Sequence, residues 1–458
     1  MTKSSLSEVV SRYVTAGMPI ASANLQPGEL IGLPAGRWKS TGAGHFQRED
    51  AVQVSWVAAI SHREDRLHAL PEYQDAVALI ESNEEWRRQF GTLVGTWQSR
   101  GRLDMAWFLD GCLGDALSAS TEGRDPLAAA VERAEGIERL LNASELNVET
   151  FGPLLGLNAY GVGRVELNPT LVLEPISEAD VERLFNVGLL VPMMPQFPFV
   201  SAPSHMVRSS YRTPKVVGEV DMSPPSSVVD EARRADEAIE DLLVCLRLFK
   251  PGMVAVGGTV TAMPGPFGGY QFSGGGGHQI FLGRMPLPSP HGYALDASEV
   301  DGLAELWHQL HSPGVRKTRQ LALAARRFAY KGERTLVDDQ LVDLIVAAEA
   351  LFLGDSDEES RGELRFRLSS RAASYIVDPS RGKRAIFRMF MAAYKMRSRL
   401  VHGGDVKALT LDGMELTPER MVESIEGLLR LALKQALRQA SELAGRLTID
   451  WEALLFPA

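Results

Sequence analysis

Cysteine is nearly missing from this chain: Cys112 and Cys245 are the two in 458 residues. Both sit in apolar, helix-like surroundings far apart in sequence, which fits buried thiols and excludes a disulfide framework or a cysteine-built metal cluster. Long apolar runs are missing too. No window approaches the roughly 20 apolar residues of a membrane span, and the opening MTKSSLSEVVSRYVTAG lacks the unbroken apolar stretch of a secretory signal. These absences predict a protein of the cytoplasm, with no membrane partner. Positive charge is not in excess either: Lys+Arg number 48 against 58 Asp+Glu, a net charge of −10. Bulk charge therefore gives no argument for sequence-independent nucleic-acid binding, although it leaves room for a local basic site.

Recognisable cofactor motifs are also lacking. The glycine-rich SGGGGHQIFLG at 273–283 is followed by no Gly-Lys-Ser/Thr, and no GxGxxG opens a helix after a strand, so a hairpin connection is expected there and not a phosphate loop. His308 and His311 fall on neighbouring helix positions without a third ligand nearby, so no metal is expected on them. His45, His62 and His68 are scattered and read as packed or solvated side chains. No cofactor is expected.

What is present is enough chain for two or three domains. From about Arg48 to Asn142 apolar residues recur at three- and four-residue steps, which predicts a helical N-terminal region over 1–145. The composition then shifts. VELNPTLVLEPI and GMVAVGGTVTAM read as strands, SEADVERLFNVG and SSVVDEARRADEAIEDLLVCLRLF as helices, and the prolines between Pro192 and Pro225 as irregular loops, giving a mixed α/β middle region over 146–300. From 301 to 458 six helical segments predict a bundle, the first capped by Ser298 and the last by Thr417, so the fold class is mainly α.

Two charged residues stand on apolar stripes of that bundle. In RAIFRMFMAAYKMRSRLVHGG the stripe Ile386, Phe390, Ala393, Arg397, Val401 carries an arginine, and in LVDDQLVDLIVAAEALFLG the stripe Val342, Ile345, Val346, Glu349, Phe352, Leu353 carries an acid. An unpaired buried charge costs several kcal/mol, so Glu349 and Arg397 are expected to face one another or a polar cleft. A pair that only fixes helix register satisfies the same pattern. Eleven basic residues between Arg361 and Arg399 stand against two acids, Glu363 and Asp378, so positive charge is concentrated here against the global trend. His402 follows at the helix end, where Gly403 and Gly404 break the pattern. It lies about 140° around an ideal helix from Arg397, so the two do not share a face. A histidine able to move a proton near neutral pH, beside arginines able to hold phosphate oxygens, is what phosphodiester cleavage needs.

Arg397-Ser-Arg-Leu-Val-His402 resembles the R-x4-6-H motif of HEPN domains, small helical bundles many of which are metal-independent ribonucleases. Residues 315–404 resemble the Apea-like HEPN group in the order and wording of LALAARRFAYKGERTLVDDQLVDLIVAAEALFL, ELRFRLSSRAA and IFRMFMAAYKMRSRLVHGG, and VCLRLFKPGMVAVG resembles a segment that often precedes it. The resemblance implies a catalytic site of Arg397 and His402 assembled by two protomers, with Glu349 as the acid of the preceding helix and Ser398 as the polar residue after the motif arginine. Lys395 and Arg399 are expected to bind substrate alongside Ser398. Gly404 stands where some HEPN toxins carry a tyrosine that a partner enzyme modifies. The implied function is RNA endonuclease activity without metal in a homodimer, used as a conditional toxin, with residues 1–300 sensing a trigger or partner protein. The alternatives are a non-catalytic HEPN module that binds RNA, nucleotide or protein, and a scaffold in which Glu349 and Arg397 are only a structural pair.

Overall fold

The computed structural model describes residues 5–42, 45–97, 100–159, 161–186, 199–201, 203–219, 225–262, 292–354, 363–403, 408–411 and 414–456. The glycine-rich segment 273–283, Pro192 to Pro198 and Gly404 lie outside them. The chain is mainly helical, and among the described residues no helix is long and apolar enough to cross a membrane.

The N-terminal core gathers the Leu6–Ser22, Pro71–Ser82, Met105–Thr121 and Pro126–Asn142 helices around Tyr13, Phe108, Leu109 and Leu113. Ser5 starts the first helix through a reciprocal capping box with Glu8, a signal readable in SLSE. The expected all-helical character of 1–145 needs correction. Ile31–Gly42 and His45–Ser55 form a long antiparallel hairpin, which Phe199–Ser201 extends to three strands. Apolar and polar residues alternate at both ends of HFQREDAVQVS, in step with a strand's two-residue period, and a reading tuned to three- and four-residue steps passes over it.

In the middle region both predicted strand segments and both predicted helices form, the longer helix as Ser226–Phe249. The sheet they join is built on two strands that the sequence reading passed over. Glu145–Leu155 pairs antiparallel with His205–Pro214, in register from Met206↔Pro153 to Pro214↔Glu145. The latter strand lies inside the stretch expected to be loop. Its prolines stand at 203 and 214, outside and at the end of a nine-residue run that can donate every backbone N–H to the sheet.

The bundle helices form at Val300–Leu310, Arg319–Tyr330, Val337–Leu353, Leu364–Tyr375, Lys383–Val401 and Pro418–Ser441. Thr417 caps the last by accepting from the Arg420 N–H at 3.4 Å, as expected. Ser298 does not cap the first: it lies within a turn at Ala297–Glu299 that Asp296 and Glu299 close as a capping box. One core holds these helices together with Leu154, Leu173, Val207, Leu242, Cys245 and Leu246, so the compositional boundary at residue 300 falls inside a packed unit. Arg247 ties it further. Its guanidinium is buried and donates to the carbonyls of Val254 and Ala329 at 2.9 to 3.1 Å and to Glu333 at 3.0 Å. A 301–458 fragment is therefore expected to lack a cooperative thermal transition, while 145–458 shows one. Calorimetry of the two fragments checks this, and a sharp transition in the shorter would contradict the shared core.

Candidate functional site

The Lys383–Val401 helix buries Ile386, Phe390, Ala393 and Met396 against the Val337–Leu353, Leu364–Tyr375 and Pro418–Ser441 helices. Phe352 meets Phe390 edge-on at 6.0 Å and Tyr375 at 6.2 Å. This aromatic layer fixes the height at which the Val337–Leu353 and Lys383–Val401 helices meet. Beyond it, the Arg397 Nη2 stands 3.7 Å from the Glu349 Oε2, with 25% and 26% of the side chains exposed. The two charged residues do face one another, at the edge of the core and not within it. The stripe that ends at Val401 needs correction: the buried face runs on to Met396, and Val401 is exposed. Leu400 still packs on the core, so it is the Val401 side of the last turn that turns to solvent.

The Glu349–Arg397 contact differs from the structural ion pairs of the same chain. Arg208 is held by Glu149, Glu174 and Asp180 at 2.6, 2.7 and 3.1 Å. Asp343, the buried acid on the same helix as Glu349, takes Arg334 at 2.7 Å and Arg327 at 3.4 Å. Arg397 makes a longer contact, and its Nε is buried with no hydrogen-bond partner. Buried guanidinium nitrogens are nearly always satisfied, so an orphan here calls for a specific reason. Tyr394, one turn back, is near enough to Glu349 to feel its charge, and its ring lies 6.0 Å from the Arg397 guanidinium. Burial, then the Glu349 carboxylate, pushes the Tyr394 hydroxyl above its ordinary pKa.

His402 caps the helix. Its backbone N–H bonds the carbonyls of Ser398 and Arg399 at 3.3 and 3.2 Å, and Gly403 turns the chain away at φ +74°, a conformation that favours glycine. The imidazole is exposed. Arg384, Arg388, Lys395, Arg399 and His402 fall within about 60° of one another around the helix axis. Arg384, Lys395 and Arg399 are exposed, so a basic stripe leads along the helix to the histidine. Arg397 lies about 140° or more away from that stripe, turned to Glu349. Ser398 is half-buried between the two faces.

The structure thus brings Glu349 and Arg397 together, with Tyr394 as a third member, and places Lys395, Arg399 and His402 on another face. Tyr394 was readable as three residues before Arg397 on the same helix, a spacing that makes neighbours. His311 serves a structural role: its Nδ1 lies 2.9 Å from the Trp307 carbonyl and its Nε2 3.1 Å from Asp241. Both cysteines are free and buried, and burial pushes their thiols well up. Comparison of the chain with family models, with characterised proteins and with solved structures finds no match, so the resemblance to HEPN domains rests on its own residues.

Proposed function

We propose that the chain is an RNA endonuclease whose site pairs Arg397 of one protomer with His402 of the partner subunit. In this reading His402 takes the proton of a ribose 2′-hydroxyl, the 2′-oxygen attacks the adjacent phosphorus, and the bond to the 5′-oxygen breaks. The departing oxygen takes up a proton from solvent while His402 releases its own, leaving a 2′,3′-cyclic phosphate and a 5′-hydroxyl. Arg397 neutralises the charge that builds on the phosphoryl oxygens, and Glu349 orients it. Metal independence, and use as a conditional toxin restrained by residues 1–300, follow the HEPN resemblance.

The observation that carries this reading is the unsatisfied state of Arg397. Its long 3.7 Å contact and the quarter of its side chain that stays exposed leave donors for an anion that a closed structural pair would not spare. The separate faces of Arg397 and His402 favour a symmetric dimer, because a two-fold contact at the helix ends brings one residue of each kind together twice. Exposed Val401 beside His402 suits such a contact. Sedimentation is expected to give a dimer at micromolar concentration, and Val401→Glu a monomer that no longer cleaves. A wild-type monomer cleaving at full rate would contradict the shared site.

The basic stripe gives the RNA strand its path. Arg384→Ala/Lys395→Ala/Arg399→Ala is expected to lower the slope of log affinity against log salt by about 2, at roughly 0.7 per phosphate contact on a single strand. Affinity titrations of a single-stranded RNA at several salt concentrations read this slope. An unchanged slope would take the strand off this face. The direct test of activity is RNA cleaved at discrete sites by wild type, with cyclic-phosphate ends, and not by His402→Ala.

A further inference from the structure

The N-terminal core contains a cavity of about 330 Å³ that the RNA reading does not use. This is at the lower end of the range for small-molecule sites. Trp56, Val57 and Ile60 line one side and the Met105–Thr121 helix the other, with Trp107 half-exposed. Gly111 and Gly114 lie on that helix and line the cavity. A Cβ at Gly114 would stand 3.6 Å from the Ile60 Cδ1, in ordinary contact, so packing does not require glycine there. Glycine in a helix interior is disfavoured by about 1 kcal/mol against alanine, and what it secures here is open space.

The polar groups have one sign in excess. Arg133 is committed to Asp115, with Nη2 to Oδ1 at 3.0 Å, which leaves Asp110 as the second carboxylate of the lining. Asp110 accepts from the Tyr13 hydroxyl at 3.1 Å and meets the His68 Nε2 at 3.3 Å, and neither partner lines the cavity. A carboxylate and an indole bordering one apolar cavity form the recognition set for an organic ammonium, which gains the charge pair and the ring face together. An anion would meet two acids and one occupied arginine.

We propose that this cavity binds a small primary amine with a flat apolar body, its ammonium on Asp110 and its body between Trp56, Ile60 and Trp107. Burial is the largest cause holding the Asp110 carboxyl above its ordinary range, a cost that a bound cation offsets. The site belongs to the N-terminal core and stands whether or not the chain cleaves RNA.

Calorimetric titration of the full chain with phenethylamine, and with phenylacetate as its anionic counterpart, tests the proposal. Phenethylamine is expected to bind saturably at one site and phenylacetate not at all. Asp110→Asn is expected to weaken phenethylamine by roughly 30-fold or more, the loss of one partner of a desolvated charge pair, and Trp107→Ala by about threefold or more. Gly114→Leu, which fills the cavity and keeps the Asp110 carboxylate, is expected to abolish binding and decides the matter if Asp110→Asn fails to fold. No saturable binding by wild type, equal binding of phenylacetate, or wild-type affinity in Gly114→Leu would overturn the proposal.

Discussion

His402→Ala is expected to lower RNA cleavage by about 10² to 10⁴, the contribution of a positioned general acid or base, and to leave the fold intact. The side chain is exposed beyond the last turn of the Lys383–Val401 helix, and the bonds that close the helix there come from its backbone N–H. Removing the ring strands no buried group, so the stability change should stay within about 0.5 kcal/mol. Cells expressing the wild type should slow in growth with RNA nicked in single-stranded loops, where bases can be reached and splayed. Cells expressing the variant should not. Arg397→Ala should match it in activity, falling by about 10² to 10³ as for the loss of one charge-stabilising donor. Equal toxicity of the wild type and both variants would remove the nuclease reading.

Glu349→Gln separates a working residue from a structural one. If the carboxylate orients Arg397, the amide keeps the shape and loses the charge, and cleavage should fall by about 10² while unfolding shifts by less than about 1 kcal/mol. Breaking a fully buried pair costs about 3 to 5 kcal/mol, but here about a quarter of each side chain is exposed and the contact is 3.7 Å, so solvent screens most of that penalty. Tyr394 supplies a readout that does not depend on RNA. The Glu349 charge is one cause of its raised pKa, so Glu349→Gln should lower the pH at which Tyr394 ionises, with burial holding the remainder. Tyrosine-resolved NMR titration measures this shift. A large stability loss with activity per folded molecule unchanged would return Glu349 to a purely structural role.

Much of the bundle was legible because its helices carry their own period and ends. Thr417, with Glu419 two residues on, announced the start of the last helix, and Gly403 the end of the one before it. The Glu349–Arg397 contact was legible for the same reason, since charges on two apolar stripes had to find each other. The depth of that pair was not, because a stripe says which residues share a face and not where the neighbouring helix stops covering it. Val401 continues the stripe in sequence and leaves the core in space. The strands Glu145–Leu155 and His205–Pro214 were hidden for a different reason. Their stability comes from each other across the sheet, at a sequence separation where local pattern carries little information. The orphan Arg397 Nε and the cavity beside Asp110 are properties of packing alone and leave no trace in the spacing of residues.

The central claim is that one site draws Arg397 and His402 from different chains. The most direct measurement is RNA cleavage by co-expressed Arg397→Ala and His402→Ala chains, set against each variant alone and the wild type. In a symmetric dimer, half of the mixed population pairs one variant with the other, and each such pair restores one of two sites, so the mixture should recover about a quarter of wild-type activity. A mixture as inactive as its parents, beside an active wild type, would contradict the shared site.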